Sequence, residues 1–76
     1  MRPRKYVVEC KVRREKVGLE SLLHEGRKQT AEYMDRCGAE TGHLVIFDLR
    51  PGRSWDERLF RRDPQPDELP ITAWGL

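Results

Sequence analysis

The sequence predicts a small α/β fold, a mixed sheet of about four strands with one long helix packed on one face. Three stretches predict it. Tyr6-Val7-Val8-Glu9-Cys10-Lys11-Val12 is rich in β-branched and aromatic side chains and reads as a strand. Residues 19–37 repeat apolar side chains every three or four positions, the period of an amphipathic helix. Residues 43–49 are nearly all apolar, as a central parallel strand covered on both faces would be. Strand, helix and strand in that order make a β-α-β unit with an expected right-handed crossover.

Within the first strand, period-2 alternation puts Tyr6, Val8, Cys10 and Val12 on one face and Val7, Glu9 and Lys11 on the other. The apolar set is the expected buried face. After a polar turn at residues 13–18, Leu19, Leu22, Leu23, Gly26, Thr30, Tyr33, Met34 and Cys37 form the apolar stripe of the helix. Gly38 is placed for a left-handed C-terminal cap, and Gly26 for a close approach of helix backbone to sheet. Residues 50–54 are a turn by composition, and a short strand is expected at 58–62. The prolines at 64 and 66 make a loop, and Ile71-Thr72-Ala73-Trp74 reads as a last, antiparallel strand.

With 76 residues, the chain reads as one small domain over 1–76, with little surface to bury and a thin stability margin. Its net charge is only +2, but residues 1–16 hold seven Lys/Arg against two carboxylates. A basic end on a near-neutral body suits an anionic partner such as nucleic acid, with Arg13 and Arg14 as candidate contacts. An ordinary charged strand is the competing reading. Cys10 and Cys37 lie far apart, without C-x-x-C or paired histidines, which argues against zinc and for two buried free thiols. No apolar run reaches membrane-spanning length and no signal peptide is visible, so a cytoplasmic protein with no membrane partner is expected.

Glu9 and Lys11 stand side by side on one strand face. Such a pair can hold a metal through the carboxylate while the lysine offsets phosphate charge, or it can be a solvated salt bridge. Downstream, Gln29 and Tyr33 form Q-x-x-x-Y, two positions that share a helix edge. Gln29 can orient a site or sit solvated at the stripe edge. Tyr33 can be core or contact.

An E-x-K strand, a helix with Q-x-x-x-Y and then an apolar strand resembles the PD-(D/E)XK nuclease superfamily, in its RecB-like branch. More narrowly, residues 29–38 with 42–48 and Ser54-Trp55 look like the C-terminal nuclease-like region of bacterial ATPase-linked proteins. The resemblance spans nearly the whole chain and implies a partial restriction-endonuclease-like fold. It implies that Glu9 is a metal ligand and that Lys11 faces the scissile phosphate or the attacking water. It further implies that Gln29 orients the site and that Tyr33 supports it or contacts DNA. The implied cofactor is Mg²⁺ or Mn²⁺, and the implied function is metal-dependent cleavage of DNA phosphodiesters, with an upstream ATPase-like domain or second chain as partner.

In that superfamily an aspartate on the strand before E-x-K completes the metal site, whereas no acidic residue precedes Glu9 here. The chain resembles the second half of a nuclease domain, and weak or absent activity is expected of it alone. His24, Glu25 and Asp48 are the possible substitute ligands. A non-catalytic nucleic-acid-binding or oligomerisation module that keeps the fold is the alternative, and a fragment without function of its own is a third reading. The strand at 6–12 lacks the neighbour that the resemblance gives it, so a homodimer through its edge is expected. Arg2, Arg4 and Lys5 are the charges that would guard that edge in a monomer.

Overall fold

The computed structural model describes residues 4–76. The elements run β1 (Tyr6–Arg13), α1 (Leu19–Cys37), β2 (Thr41–Asp48), α2 (Trp55–Arg58), β3 (Phe60–Arg62) and β4 (Ile71–Gly75). The four strands form one mixed sheet in the order β1-β2-β4-β3, with the single long helix α1 on one face. This is the α/β architecture that the sequence predicts.

β1 and β2 are parallel, as a β-α-β unit requires. β4 is antiparallel to β3, as expected of the last strand from sequence, but its other neighbour, β2, runs parallel to it. The reason lies in the connection after β2. β3 takes the return direction, so the next reversal brings β4 back alongside β2.

α1 begins after Gly18 and ends at Gly38, whose φ of 70° is the left-handed conformation that glycine adopts most cheaply. Its buried stripe is Leu22, Leu23, Gly26, Thr30 and Met34. With Leu44 and Ile46 of β2 and Ile71 and Ala73 of β4, the apolar members of that stripe make the core. The helix lies close to the sheet because Gly26 has no side chain: a Cβ there would stand 2.7 Å from Leu44 Cδ1. The Gly26 carbonyl, one turn back along the helix, accepts the hydroxyl of Thr30 at 2.7 Å, so the buried threonine is satisfied.

Several sequence expectations about burial are overturned, and one relationship explains most of them. Glu9 pairs in register with Leu44 and Lys11 with Ile46, so these share the face that α1 covers. Neighbours in register point the same way. Val7, Glu9, Lys11 and Arg13 therefore lie half-buried beneath the helix edge, while Tyr6 is 67% and Val8 57% exposed. Long charged side chains suit that place, since their stems can pack while their heads reach water.

Cys10 faces solvent with the same set, and Cys37 is exposed at the helix end, so neither is a buried thiol. β2 is covered on one face only: Leu44 and Ile46 are buried, whereas His43 and Val45 are half-buried and Phe47 is exposed. Tyr33 is also exposed, at the margin of the stripe whose centre Thr30 and Met34 occupy. No described helix is long and apolar enough to cross a membrane. Arg2 lies outside the described residues.

Candidate functional site

Glu9 and Lys11 emerge from alternate positions of β1 on the side of α1. α1 meets them with Glu25, whose Oε1 lies 3.8 Å from Lys11 Nζ. Gln29, half-buried, follows Glu25 by one helical turn on the same helix edge. One strand face and one helix edge therefore carry Glu9, Lys11, Glu25 and Gln29. Neither Glu9 nor Gln29 has a side-chain hydrogen bond among the described residues, which leaves their polar atoms to water or a ligand.

Tyr33 continues along the helix and carries the Arg36 guanidinium 5.8 Å from its ring centroid. Arg13 continues β1 on the α1 side, while Arg14 is exposed in the turn beyond it. Arg13 stands in register with Asp48, and its Nε is buried without a hydrogen-bond partner among the described residues.

Asp48 is buried at the end of β2 and held by Arg50 through both oxygens, at 2.9 Å from Nε to Oδ1 and 2.7 Å from Nη2 to Oδ2. The backbone N–H of Arg50 donates to the same carboxylate. These bonds hold the Asp48 carboxyl down at about 2, against the opposing effect of burial, with the Arg13 charge assisting. A carboxylate so fully used is not a free metal ligand. Glu25 is engaged by Lys11, and His24 opens instead onto a groove with Arg27, Lys28 and Glu68.

The sequence-derived residues Glu9, Lys11 and Gln29 thus share one side of the β1 edge, and the three substitutes do not complete them. Among the described residues, no three His, Cys, Asp or Glu side chains come together to hold a metal. Magnesium takes about six oxygen ligands and is commonly held through one or two carboxylates plus substrate phosphates. One carboxylate beside a lysine does not by itself fit that demand. What this arrangement can offer is a cation for a phosphate oxygen and a carboxylate to accept hydrogen bonds from water.

The opposite face of the sheet holds residues that sequence reasoning did not single out. There Tyr6, His43, Trp74 and Arg61 form a row across all four strands. The Tyr6 and His43 rings are 6.4 Å apart and edge-to-face, and those of His43 and Trp74 are 6.3 Å apart. Trp74 Nε1 donates to His43 Nδ1 at 3.1 Å, and the Arg61 guanidinium lies 5.0 Å from the Trp74 ring centroid. No Asp or Glu occupies a strand position of this face, and Asp63, just beyond β3, meets the Arg61 guanidinium at 2.9 Å. The signal was present as aromatic residues at alternate positions, but only the strand order aligns them.

No protein-family model matches this chain, nor does any curated protein or solved structure.

Proposed function

We propose that this chain is a nuclease-like domain that contributes the E-x-K half of a phosphodiester-cleaving site acting on DNA. The observation that carries this reading is the placement of Glu9 and Lys11 on one face of an edge strand, beside the helix edge bearing Gln29. In that reading the Lys11 ammonium, steadied by Glu25, meets a phosphate oxygen. The Glu9 carboxylate accepts a hydrogen bond from the attacking water, and the Gln29 amide orients it. A second carboxylate must join Glu9 before Mg²⁺ or Mn²⁺ is firmly held, and such an ion would supply Lewis-acid activation of the phosphate.

The test is cleavage of double- and single-stranded DNA by the purified chain with added Mg²⁺ or Mn²⁺, compared with Glu9→Ala and Lys11→Ala. Weak cleavage that disappears in both variants is expected. Cleavage surviving both would reject the assignment of these residues.

A second reading is favoured by the open face. Its Tyr6–His43–Trp74–Arg61 row, with no Asp or Glu at a strand position, suits a non-catalytic module on which single-stranded nucleic acid stacks its bases, a phosphate taking the place of Asp63 on Arg61. Binding of single-stranded DNA without any cleavage, lost on Trp74→Ala and kept on Lys11→Ala, would decide for that reading.

A further inference from the structure

We propose that two copies of this chain pair through the free edge of β1, antiparallel about a two-fold axis at Cys10. Glu9 of each copy then lies opposite Lys11 of the other.

The sheet has two outer strands, and they differ in kind. β3 is three residues long and runs into a loop with Pro64 and Pro66, so it offers little to a partner. β1 is eight residues long and has β2 on one side only. The backbone shows which of its groups are free. The carbonyls of Lys5 and Arg13 accept from Glu40 and Leu49, on the β2 side. Successive strand residues turn their N–H and C=O groups to opposite edges, so the odd positions bond to β2. Tyr6, Val8, Cys10 and Val12 turn theirs outward. Lys5, one of the charges that could guard this edge, is drawn away, its Nζ donating to Cys37 O at the end of α1.

An antiparallel partner satisfies those outward groups only when even-numbered residues face even-numbered residues. That condition leaves few two-fold registers, and charge chooses among them. Centring the axis on Glu9 sets two carboxylates directly opposite, and centring it on Lys11 sets two ammonium groups opposite; both are repulsive. Centring it on Cys10 matches Glu9 with Lys11 twice, on the helix side, where Lys11 already meets Glu25. On the open side the same register sets Val8 against Val12, Cys10 against Cys10, and Tyr6 against Arg14. The edge is thus self-complementary in hydrogen bonds, in charge and in apolar surface, as an interface between identical copies requires.

The pairing stands on the strand edge alone. Its bearing on cleavage rests on the nuclease-like reading, because it carries a second Glu9 to the same side of the sheet, roughly 7–8 Å away on the diagonal.

The experiment is the solution mass of the purified chain by light scattering at micromolar protein, with circular dichroism to verify folding. Wild type is expected at twice 9.0 kDa. Glu9→Lys and Lys11→Glu each set like charges opposite and are expected at the monomer mass, while the double variant restores the dimer. Val8→Pro removes an N–H that points to the partner and that the β1–β2 ladder does not use, so it should stay folded and become monomeric. A wild type of monomer mass at every concentration overturns the proposal. So do single charge variants that remain dimeric, or a double variant that stays monomeric while folded. Mass and cleavage separate the two conclusions: a dimer that cleaves nothing removes the nuclease reading and keeps the pairing, and a monomer that cleaves does the reverse.

Discussion

Lys11 Nζ lies 3.8 Å from Glu25 Oε1, joining the edge strand to the one long helix above it. The glutamate is 61% exposed, and an ion pair with one partner so open to water contributes about 0–1 kcal/mol. Lys11→Met, which keeps the packed stem and removes only the ammonium, should therefore leave the urea midpoint of the monomeric unit nearly unchanged. A loss of cleavage in that variant would then report the chemistry of the ammonium and not a damaged fold. A shift of the midpoint well beyond that range would show that Lys11 is structural.

The approach of α1 to the sheet is set by Gly26 and Leu44. A methyl group at position 26 would come within 2.7–2.8 Å of both Leu44 δ-carbons, and Leu44 is wholly buried. Overpacking of a tight core costs about 1–3 kcal/mol, whereas alanine gains about 1 kcal/mol over glycine in helix propensity. Gly26→Ala should be net destabilising in urea denaturation, despite its better propensity. Adding Leu44→Val makes room for the new methyl group, so the double variant should lose less than the sum of the two single losses. Additive losses would show that the two residues are not in conflict.

The comparison of sequence with structure divides along a physical line. α1 was legible almost to the residue, because its stripe, Gly18 and Gly38 are local signals. The parallel pairing of β1 with β2 followed from the helix between them. The inward face of β1 was not legible. Alternation says that a strand has two faces, and composition alone favours the apolar one as core; the register with Leu44 and Ile46 chooses the face with Glu9 and Lys11. The direction of β4 depended on β3 taking the return path, which no local pattern encodes. The short helix α2 was missed although Ser54 and Glu57 carry the S-x-x-E capping signature, with the Glu57 N–H donating to Ser54 Oγ. For the site, residue types gave Glu9, Lys11 and Gln29, whereas the engagement of Asp48 by Arg50, only two residues on, depends on how the backbone leaves β2 and was not read from residue types alone.

Trp74 is the pivot of the open face, touching His43 on one side and Arg61 on the other. Stacking of a base on such a side chain is worth about 1–3 kcal/mol by alanine substitution. If single-stranded nucleic acid uses this face, Trp74→Ala should weaken its binding by a corresponding factor, on the order of 5- to 150-fold. Raising the salt concentration should weaken it further through the Arg61 charge. Fluorescence anisotropy of a labelled oligonucleotide measures both. Equal affinity of wild type and Trp74→Ala would remove the face from consideration.

Asp48 and Arg50 give the fold a defined acid dependence. The folded-state pKa of Asp48 is lowered from 3.8 to about 2, first by its hydrogen bonds from the Arg50 guanidinium. The unfolded chain therefore takes up this proton at a higher pH than the folded chain does. Stability from the pair is whole above pH 3.8, declines as pH falls through the interval below it, and is gone once the pH is under about 2. Asp48→Asn has no such carboxyl and leaves Arg50 and the buried Nε of Arg13 without their counter-charge. The variant should be less stable than wild type at neutral pH, and the gap between their urea midpoints should close as pH falls through that window. Other carboxylates titrate in both proteins alike, so the difference between the two curves isolates Asp48. A gap that stays constant down to the acid end would mean that Arg50 does not hold this carboxylate ionised in the folded protein.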